Sequence, residues 1–125
     1  MTAPSFHTDV VLHQVLNERA RQFAKHGDQS HLPDGTGPAA GRPWLTQQGR
    51  WLGYEHLSTG ARIATEEASA TTGDDTVSFA DILLEEVFEA LAEDDPARLR
   101  AELVQVAAVA VQWVEAIDAR TGGAP

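Results

Sequence analysis

The sequence of 125 residues contains no cysteine. This absence excludes disulfide bonds, a catalytic thiolate and every zinc site built on thiolate ligands. Basic residues are also scarce, because nine Lys and Arg stand against nineteen Asp and Glu and give a formal net charge of −10. Phosphate backbones and anionic membrane surfaces repel a chain this acidic. We therefore expect neither nucleic acid nor a membrane among its partners.

Long apolar runs are missing as well. The longest one covers residues 106–111, far short of the roughly 20 residues that a membrane-spanning helix needs. The first residues hold no basic segment followed by an apolar one, so no secretory signal is expected. The composition, with 42% hydrophobic and 22% charged residues, is typical of a globular chain. The sequence predicts one cytoplasmic domain over residues 1–125.

No alternating apolar pattern is long enough to predict a strand. Helical periodicity instead predicts an all-α fold, a bundle of four or five helices that oligomerises through apolar helices. The first helix begins near residue 5 or 8 and ends at Gly27, and the others cover about residues 45–70, 78–93 and 95–120. Capping residues support these limits, with Ser78 and Asp81 opening the third helix and Asp95 the fourth.

Residues 27–43 have neither helical nor strand periodicity. They carry four glycines and three prolines. A loop of this length is uncommon in a compact domain and is usually either disordered or functional. We predict a loop that is mobile in the free protein and becomes ordered when substrate binds.

Three carboxylates share one arc of the predicted third helix: Glu85, Glu86 and Glu89. The ordinary explanation of such an arc is a charged face in solvent. Like charges three and four residues apart repel one another, however, and this turn contains no Lys or Arg to separate them. The pattern therefore also fits a face that surrounds a cation.

The predicted fourth helix is apolar on every side over residues 103–111, except at Gln105. Glu102 lies one turn before Gln105, so we expect both to point inwards or into a cleft, where buried polar groups need partners. Gln105 could form an interhelical hydrogen bond, and Glu102 could pair with Arg98 or Arg62. The other explanation is a shared cation, for which an oxygen-only ligand set indicates Mg²⁺ or Mn²⁺ rather than zinc or di-iron.

The sequence contains Glu85-Glu86-Val-Phe-Glu89 and, after a short Asp-Pro turn, Glu102-Leu-Val-Gln105. These two motifs resemble the EExxE…ExxD signature of the MazG-like all-α nucleoside triphosphate pyrophosphohydrolases. That superfamily also includes dimeric dUTPases, dCTPases and the phosphoribosyl-ATP pyrophosphohydrolases. The segment from Glu18 to His31 is similar to the opening of its phage and actinobacterial branch. The resemblance covers the predicted first, third and fourth helices.

The resemblance implies that Glu86, Glu89, Glu102 and Gln105 hold Mg²⁺ or Mn²⁺, and that Glu85, Glu86 and Glu89 are catalytic. Gln105 departs from the signature, which has Asp at that position. An amide oxygen can bind Mg²⁺, but it adds no charge and cannot act as a base. With Gln in place of Asp, we expect weaker metal binding or fewer bound metal ions than the signature implies.

The implied activity is hydrolysis of an NTP or dNTP to its monophosphate and pyrophosphate, as in house-cleaning of the nucleotide pool. The implied assembly is a homodimer or homotetramer. The alternatives are a catalytically weakened module that binds or regulates through nucleotides, and a purely structural oligomeric bundle.

The candidate substrate-binding residues are Arg19, Gln22 and Lys25 of the first helix and Gln29 and His31 of the loop. They could contact phosphates or the base. A solvated helix face and bystander loop residues are the alternative explanation.

Overall fold

The computed structural model describes residues 6–42, 46–47, 50–72 and 77–122. Over these residues the chain forms four α-helices and one short β-hairpin. The helices are α1 (Phe6–His26), α2 (Tyr54–Thr72), α3 (Phe79–Leu91) and α4 (Pro96–Arg120), and the strands are β1 (Thr46–Gln47) and β2 (Arg50–Trp51). The all-α fold class is confirmed, with the helix content of a four-helix bundle. None of the described helices is long and apolar enough to span a membrane.

The ends of three helices lie where the sequence predicts them. α1 stops before Gly27, whose φ of 69° is readily adopted by glycine alone. Ser78 and Asp81 form a reciprocal capping box at the start of α3. The Asp95 carboxylate accepts a hydrogen bond of 3.0 Å from the Arg98 backbone N–H and so caps α4.

The predicted start of the second helix near residue 45 is wrong. α2 begins at Tyr54, and the preceding segment forms β1 and β2, which pair antiparallel with Gln47 opposite Arg50. The glycine-rich loop explains this boundary, because its Pro38 and Ala40 carbonyls accept hydrogen bonds of 3.0 and 2.7 Å from the Glu55 and Tyr54 backbone N–H groups. The loop thus caps α2 from outside the helix.

Gly53 permits that capping contact. A Cβ atom at this position would lie 2.9 Å from the Pro38 carbonyl oxygen, which is too close for any other residue. The same loop also reaches α3, where the Gly37 N–H donates a hydrogen bond of 2.9 Å to the Leu91 carbonyl. The loop has no helix or strand from Gly27 to residue 42, as predicted. Its ordering by substrate stays a prediction.

The chain divides into two compact units. The first comprises Met1–Asp34 and Ala110–Pro125, and the second comprises Gly35–Val109. In the first unit α1 is joined to the last turns of α4. His7 Nε2 lies 2.9 Å from a carboxylate oxygen of Asp118, and the Thr8 hydroxyl donates a hydrogen bond of 2.6 Å to Glu115.

In the second unit α2 packs against α3. Its buried apolar side chains are Tyr54, Ala90 and Leu99, and the first unit buries Val11. Among the described residues these four form the whole buried apolar core. Twelve large apolar side chains are exposed instead: Leu12, Val15, Leu16, Phe23, Leu32, Ile63, Ile82, Leu84, Leu103, Val104, Val114 and Ile117. So small a core leaves these twelve apolar side chains exposed in the part of the chain that the structure describes.

Candidate metal centre

Three of the predicted metal ligands meet in the second unit. Glu86 and Glu89 lie on α3 and Glu102 lies on α4, and one carboxylate oxygen of each lies within 4.8 Å of the others. Their spacing explains the meeting, because residues three apart on α3 share a face and the turn between the helices is only four residues long. α4 therefore turns back beside the carboxylates of α3.

The carboxylate face of α3 does not point into solvent. Glu86 and Glu89 are half-buried, whereas Leu84 on the same helix is 50% exposed. The apolar side chains Leu83, Val87 and Phe88 are half-buried as well. The acidic arc is therefore partly covered and is not a fully exposed charged face.

Two oxygen atoms of the cluster are buried without any partner. Glu86 Oε2 and Glu102 Oε2 are shielded from solvent, and neither forms a hydrogen bond within the described ranges. An unpaired buried polar group costs about 1–3 kcal/mol, and an ionised one more. Buried charges in proteins are normally paired or bound to a metal. These two oxygens thus fit direct ligands of a cation.

The electrostatics of the cluster agree with its geometry. Burial, followed by the charges of Glu102 and Glu85, raises the pKa of Glu86. Burial, the three neighbouring carboxylates and a hydrogen bond with Glu102 raise the pKa of Glu89 to about 6. Each of these causes disfavours the ionised form, and every charged neighbour among them is another carboxylate. A cation within the cluster would instead favour the ionised form of these carboxylates.

The raised pKa values predict how stability depends on pH in metal-free protein. Glu89 titrates near an ordinary 4.5 when unfolded and at about 6 when folded, so the folded state holds more protons in between. The free energy of unfolding should therefore fall, by about 1–2 kcal/mol, as the pH rises through this window. Urea unfolding in EDTA at about pH 4.5 and about pH 7 measures this change.

Two controls isolate that effect. Glu89→Gln lacks the titrating group and should lose less stability over the same pH range. Saturating Mg²⁺ should restore the stability of the natural protein at the higher pH, because the cation binds the ionised carboxylates of the folded state. An identical pH dependence with and without Mg²⁺ would contradict the cation site, and an unchanged pH dependence in Glu89→Gln would contradict the cause of the shift.

The other two residues predicted for this centre, Glu85 and Gln105, do not belong to the cluster of three carboxylates. Glu85 is half-buried and close enough to raise the pKa values of Glu86 and Glu89, but it lies outside the group of three oxygens. Gln105 is exposed, so the expectation that it points inwards is wrong. Three residues correspond to about 300° of helix, which places Gln105 about 60° around α4 from Glu102.

The alternative partners of Glu102 and Gln105 are also absent. Within the described residues Glu102 forms no ion pair with Arg98 or Arg62, and no hydrogen bond involves the Gln105 side chain in that part of the chain. A structural ion pair therefore does not explain why Glu102 is half-buried.

Three of the predicted substrate-binding residues come together in the first unit. Arg19, Gln22 and Gln29 line one cavity of about 380 Å³ at the end of α1. Lys25 and His31 are exposed and do not line it.

Sequence reasoning missed the other four residues that line this cavity, namely Phe23, Gly27, Asp28 and Ser30. Phe23 has the apolar spacing of α1, yet it is 59% exposed and lines the cavity. Asp28 also lines it. The sequence position of Phe23 could have indicated this role. Phe23 lies four residues after Arg19 and four before Gly27, so it lies on the same side of α1 as Arg19 and one turn before the helix ends.

No family model, curated protein or solved structure matches the chain. The resemblance to the MazG-like proteins stays a prediction from the motif residues.

Proposed function

We propose that the chain is a Mg²⁺-dependent nucleoside triphosphate pyrophosphohydrolase of the MazG-like type. It cleaves an NTP or dNTP between the α and β phosphates and releases a nucleoside monophosphate and pyrophosphate. We place this activity in the cytoplasm, in a homodimer or homotetramer that clears unwanted nucleotides. The observation that carries the proposal is the pair of buried, unpartnered oxygens of Glu86 and Glu102 beside Glu89.

The donor set fits the proposed ion. Three carboxylates supply hard oxygen ligands, and the sequence has no cysteine that would favour a softer metal. Mg²⁺ binds through one or two carboxylates together with waters and substrate phosphates. When bound, it would neutralise the acidic cluster and stabilise negative charge on the leaving pyrophosphate.

Two different tasks fall to the carboxylates in this proposal. Glu86, Glu89 and Glu102 hold the cation, because their oxygens lie within 4.8 Å of one another. Glu85 lies beside them but outside the group, so its carboxylate is free to orient the attacking water and accept its proton. The water oxygen bonds to the α phosphorus, and the oxygen that bridges to the β phosphorus leaves with pyrophosphate.

Pyrophosphate release from a panel of canonical and modified NTPs and dNTPs tests the proposal directly. We expect monophosphate and pyrophosphate in equal amounts with Mg²⁺ or Mn²⁺, and no turnover in EDTA. Release of inorganic phosphate instead would show cleavage of a different bond. Absence of any product across the panel, with the metal bound, would refute the activity.

A second function is favoured by Gln105, which is exposed at the position where the signature has Asp. With one carboxylate fewer, the chain could be a weakened module that binds nucleotides and regulates another process. The same panel separates the two functions, because such a module would bind Mg²⁺ and nucleotide without releasing pyrophosphate.

Gln105→Asp tests the role of this departure from the signature. The added carboxylate should tighten Mg²⁺ binding by roughly two- to tenfold, because it brings a further negative charge to the α4 side of the cluster. The fold should be unaffected, since exposed substitutions usually change stability by less than about 0.5 kcal/mol. Isothermal titration with Mg²⁺ and thermal melting measure the two quantities.

Asp introduced at Gln112 of the same helix gives a matched control at a distance of two turns. It adds the same charge to α4 and should leave Mg²⁺ affinity within about twofold. If Gln105→Asp lowers the melting temperature by several degrees and leaves affinity unchanged, Gln105 is a structural amide and not part of the metal site.

A further inference from the structure

An open cavity of about 380 Å³ lies at the end of α1, and the residues that line it are exposed. Small-molecule sites have volumes of roughly 300–1,000 Å³. Seven residues line it: Arg19, Gln22, Phe23, Gly27, Asp28, Gln29 and Ser30. The set combines one aromatic ring with one cation, one carboxylate and two amides.

Local structure explains why these residues meet. Arg19, Gln22 and Phe23 are three and four positions apart, so they share one side of α1. Gly27 ends the helix in a left-handed conformation, and its N–H donates a hydrogen bond of 2.8 Å to the Phe23 carbonyl. The chain then turns back, and the Ser30 N–H donates to the Asp28 carboxylate at 2.9 Å.

Two local hydrogen-bonded pairs, Arg19 with Gln22 and Asp28 with Ser30, supply the polar groups of the cavity. Arg19 donates a hydrogen bond of 2.8 Å to the Gln22 side-chain carbonyl, which leaves its other N–H groups and the Gln22 amino group as donors. Hydrogen bonds from Ser30 lower the pKa of Asp28 below its ordinary value, so Asp28 is an acceptor at neutral pH. Phe23 offers an aromatic face that is 59% exposed.

Charge indicates which part of a nucleotide suits the cavity. Arg19 and Asp28 together contribute one positive and one negative charge, so the lining does not match a triphosphate with several negative charges. A flat, uncharged ring with both donors and acceptors on its edge fits better. Nucleobases have these properties, and proteins hold them by aromatic stacking and by hydrogen bonds to the base edge.

Hydrogen-bonding chemistry distinguishes guanine from the other bases. Guanine carries two adjacent acceptors, N7 and O6, which match the fork of an Arg side chain. Its N1–H and N2–H₂ groups are adjacent donors that a carboxylate can accept. Adenine lacks the acceptor pair, and cytosine and uracil lack one or both of these pairs.

We propose that this cavity binds the guanine base of a nucleotide, with Phe23 stacking on the ring, Arg19 facing N7 and O6, and Asp28 accepting from N1–H and N2–H₂. The inference concerns the first unit by itself, and it rests on the proposed function only in that it takes a nucleotide as the ligand. It names the base that the cavity selects, and it adds Phe23 and Asp28 to the candidate base-binding residues.

Binding of GMP, AMP, CMP and UMP to the full chain in EDTA tests this inference without metal and without turnover. We expect GMP to bind at least about tenfold more tightly than the other three monophosphates. Phe23→Leu should weaken GMP binding by about tenfold or more, because base stacking needs an aromatic ring. Phe23→Tyr keeps an aromatic ring and should bind GMP as the natural protein does. Asp28→Asn should reduce the preference for GMP over AMP.

Leu16→Ala is the matched control, because Leu16 lies two turns before Phe23 on the same side of α1 and is 61% exposed. This variant should bind GMP as the natural protein does. Equal binding of all four monophosphates, no binding of GMP, or unchanged GMP binding by Phe23→Leu would overturn the inference. Circular dichroism checks that each variant keeps its helices.

The outcome is separate from the test of the pyrophosphohydrolase activity. A chain that binds GMP in EDTA but releases no pyrophosphate would support the base site and refute the activity. A chain that releases pyrophosphate equally from all nucleotides and shows no preference among the monophosphates would support the activity and refute the base site.

Discussion

Glu86→Gln is expected to abolish Mg²⁺ binding at millimolar concentrations and to lower pyrophosphate release by about 100- to 1,000-fold. The variant replaces a proposed ligand whose buried Oε2 atom has no partner among the described residues. It also removes one of the three charges that we propose to attract the cation. Isothermal titration with Mg²⁺ and a pyrophosphate-release assay measure the two losses.

The same variant should unfold at a higher temperature in EDTA than the natural protein. Burial and the charges of Glu102 and Glu85 raise the pKa of Glu86, so its ionised form destabilises the metal-free fold. A neutral amide of similar shape relieves that repulsion. Loss of metal binding together with a gain in metal-free stability would distinguish a ligand from a carboxylate that merely supports the fold.

Two further variants complete the comparison. Glu66→Gln removes an exposed carboxylate of α2 and should change neither metal binding nor activity. Glu85→Gln should keep Mg²⁺ affinity within a few-fold and lower kcat, because we assign Glu85 to the attacking water and not to the cation. If Glu86→Gln binds Mg²⁺ as tightly as the natural protein, the assignment of the cluster is wrong.

The helices could be predicted because their limits depend on local chemistry. Ser78 with Asp81, Asp95 and Gly27 act on the backbone within a few residues of themselves, and all of them mark helix ends in the structure. The start of α2 depends instead on a distant contact. Pro38 and Ala40 cap it across the loop, and strands of two residues leave no periodic pattern for the sequence to show.

In the candidate site, too, some features could be predicted from nearby residues and others could not. The resemblance, together with the spacing on α3 and the short turn before α4, predicted that Glu86, Glu89 and Glu102 lie together, and the structure brings them within 4.8 Å of one another. How far the carboxylates of α3 are covered could not be predicted, because periodicity alone leaves a charged face in solvent, whereas Glu86 and Glu89 are half-buried. Gln105 illustrates the same difficulty, since one turn along α4 is enough to change a half-buried position into an exposed one.

We expect the protein in solution to have two or four times the 13.5 kDa mass of one chain. On the second unit, Leu103 and Val104 of α4 are 52% and 56% exposed, and Leu84 of α3 is 50% exposed. Monomers seldom tolerate continuous apolar patches larger than a few hundred Å². A closed symmetric assembly of identical chains is the commonest way to bury such a surface. Light scattering coupled to size exclusion at low micromolar concentration measures the mass.

Val104→Glu should shift that mass towards a single chain, because a charge at the centre of an apolar contact loses its hydration without gaining a partner. Leu32→Glu is the matched control, since Leu32 is also 56% exposed but lies in the loop after α1. It should leave the assembly intact. A mass of 13.5 kDa for the natural protein, or equal dissociation by both variants, would contradict an interface on α4. The apolar residues of that helix would then have to be covered within one chain.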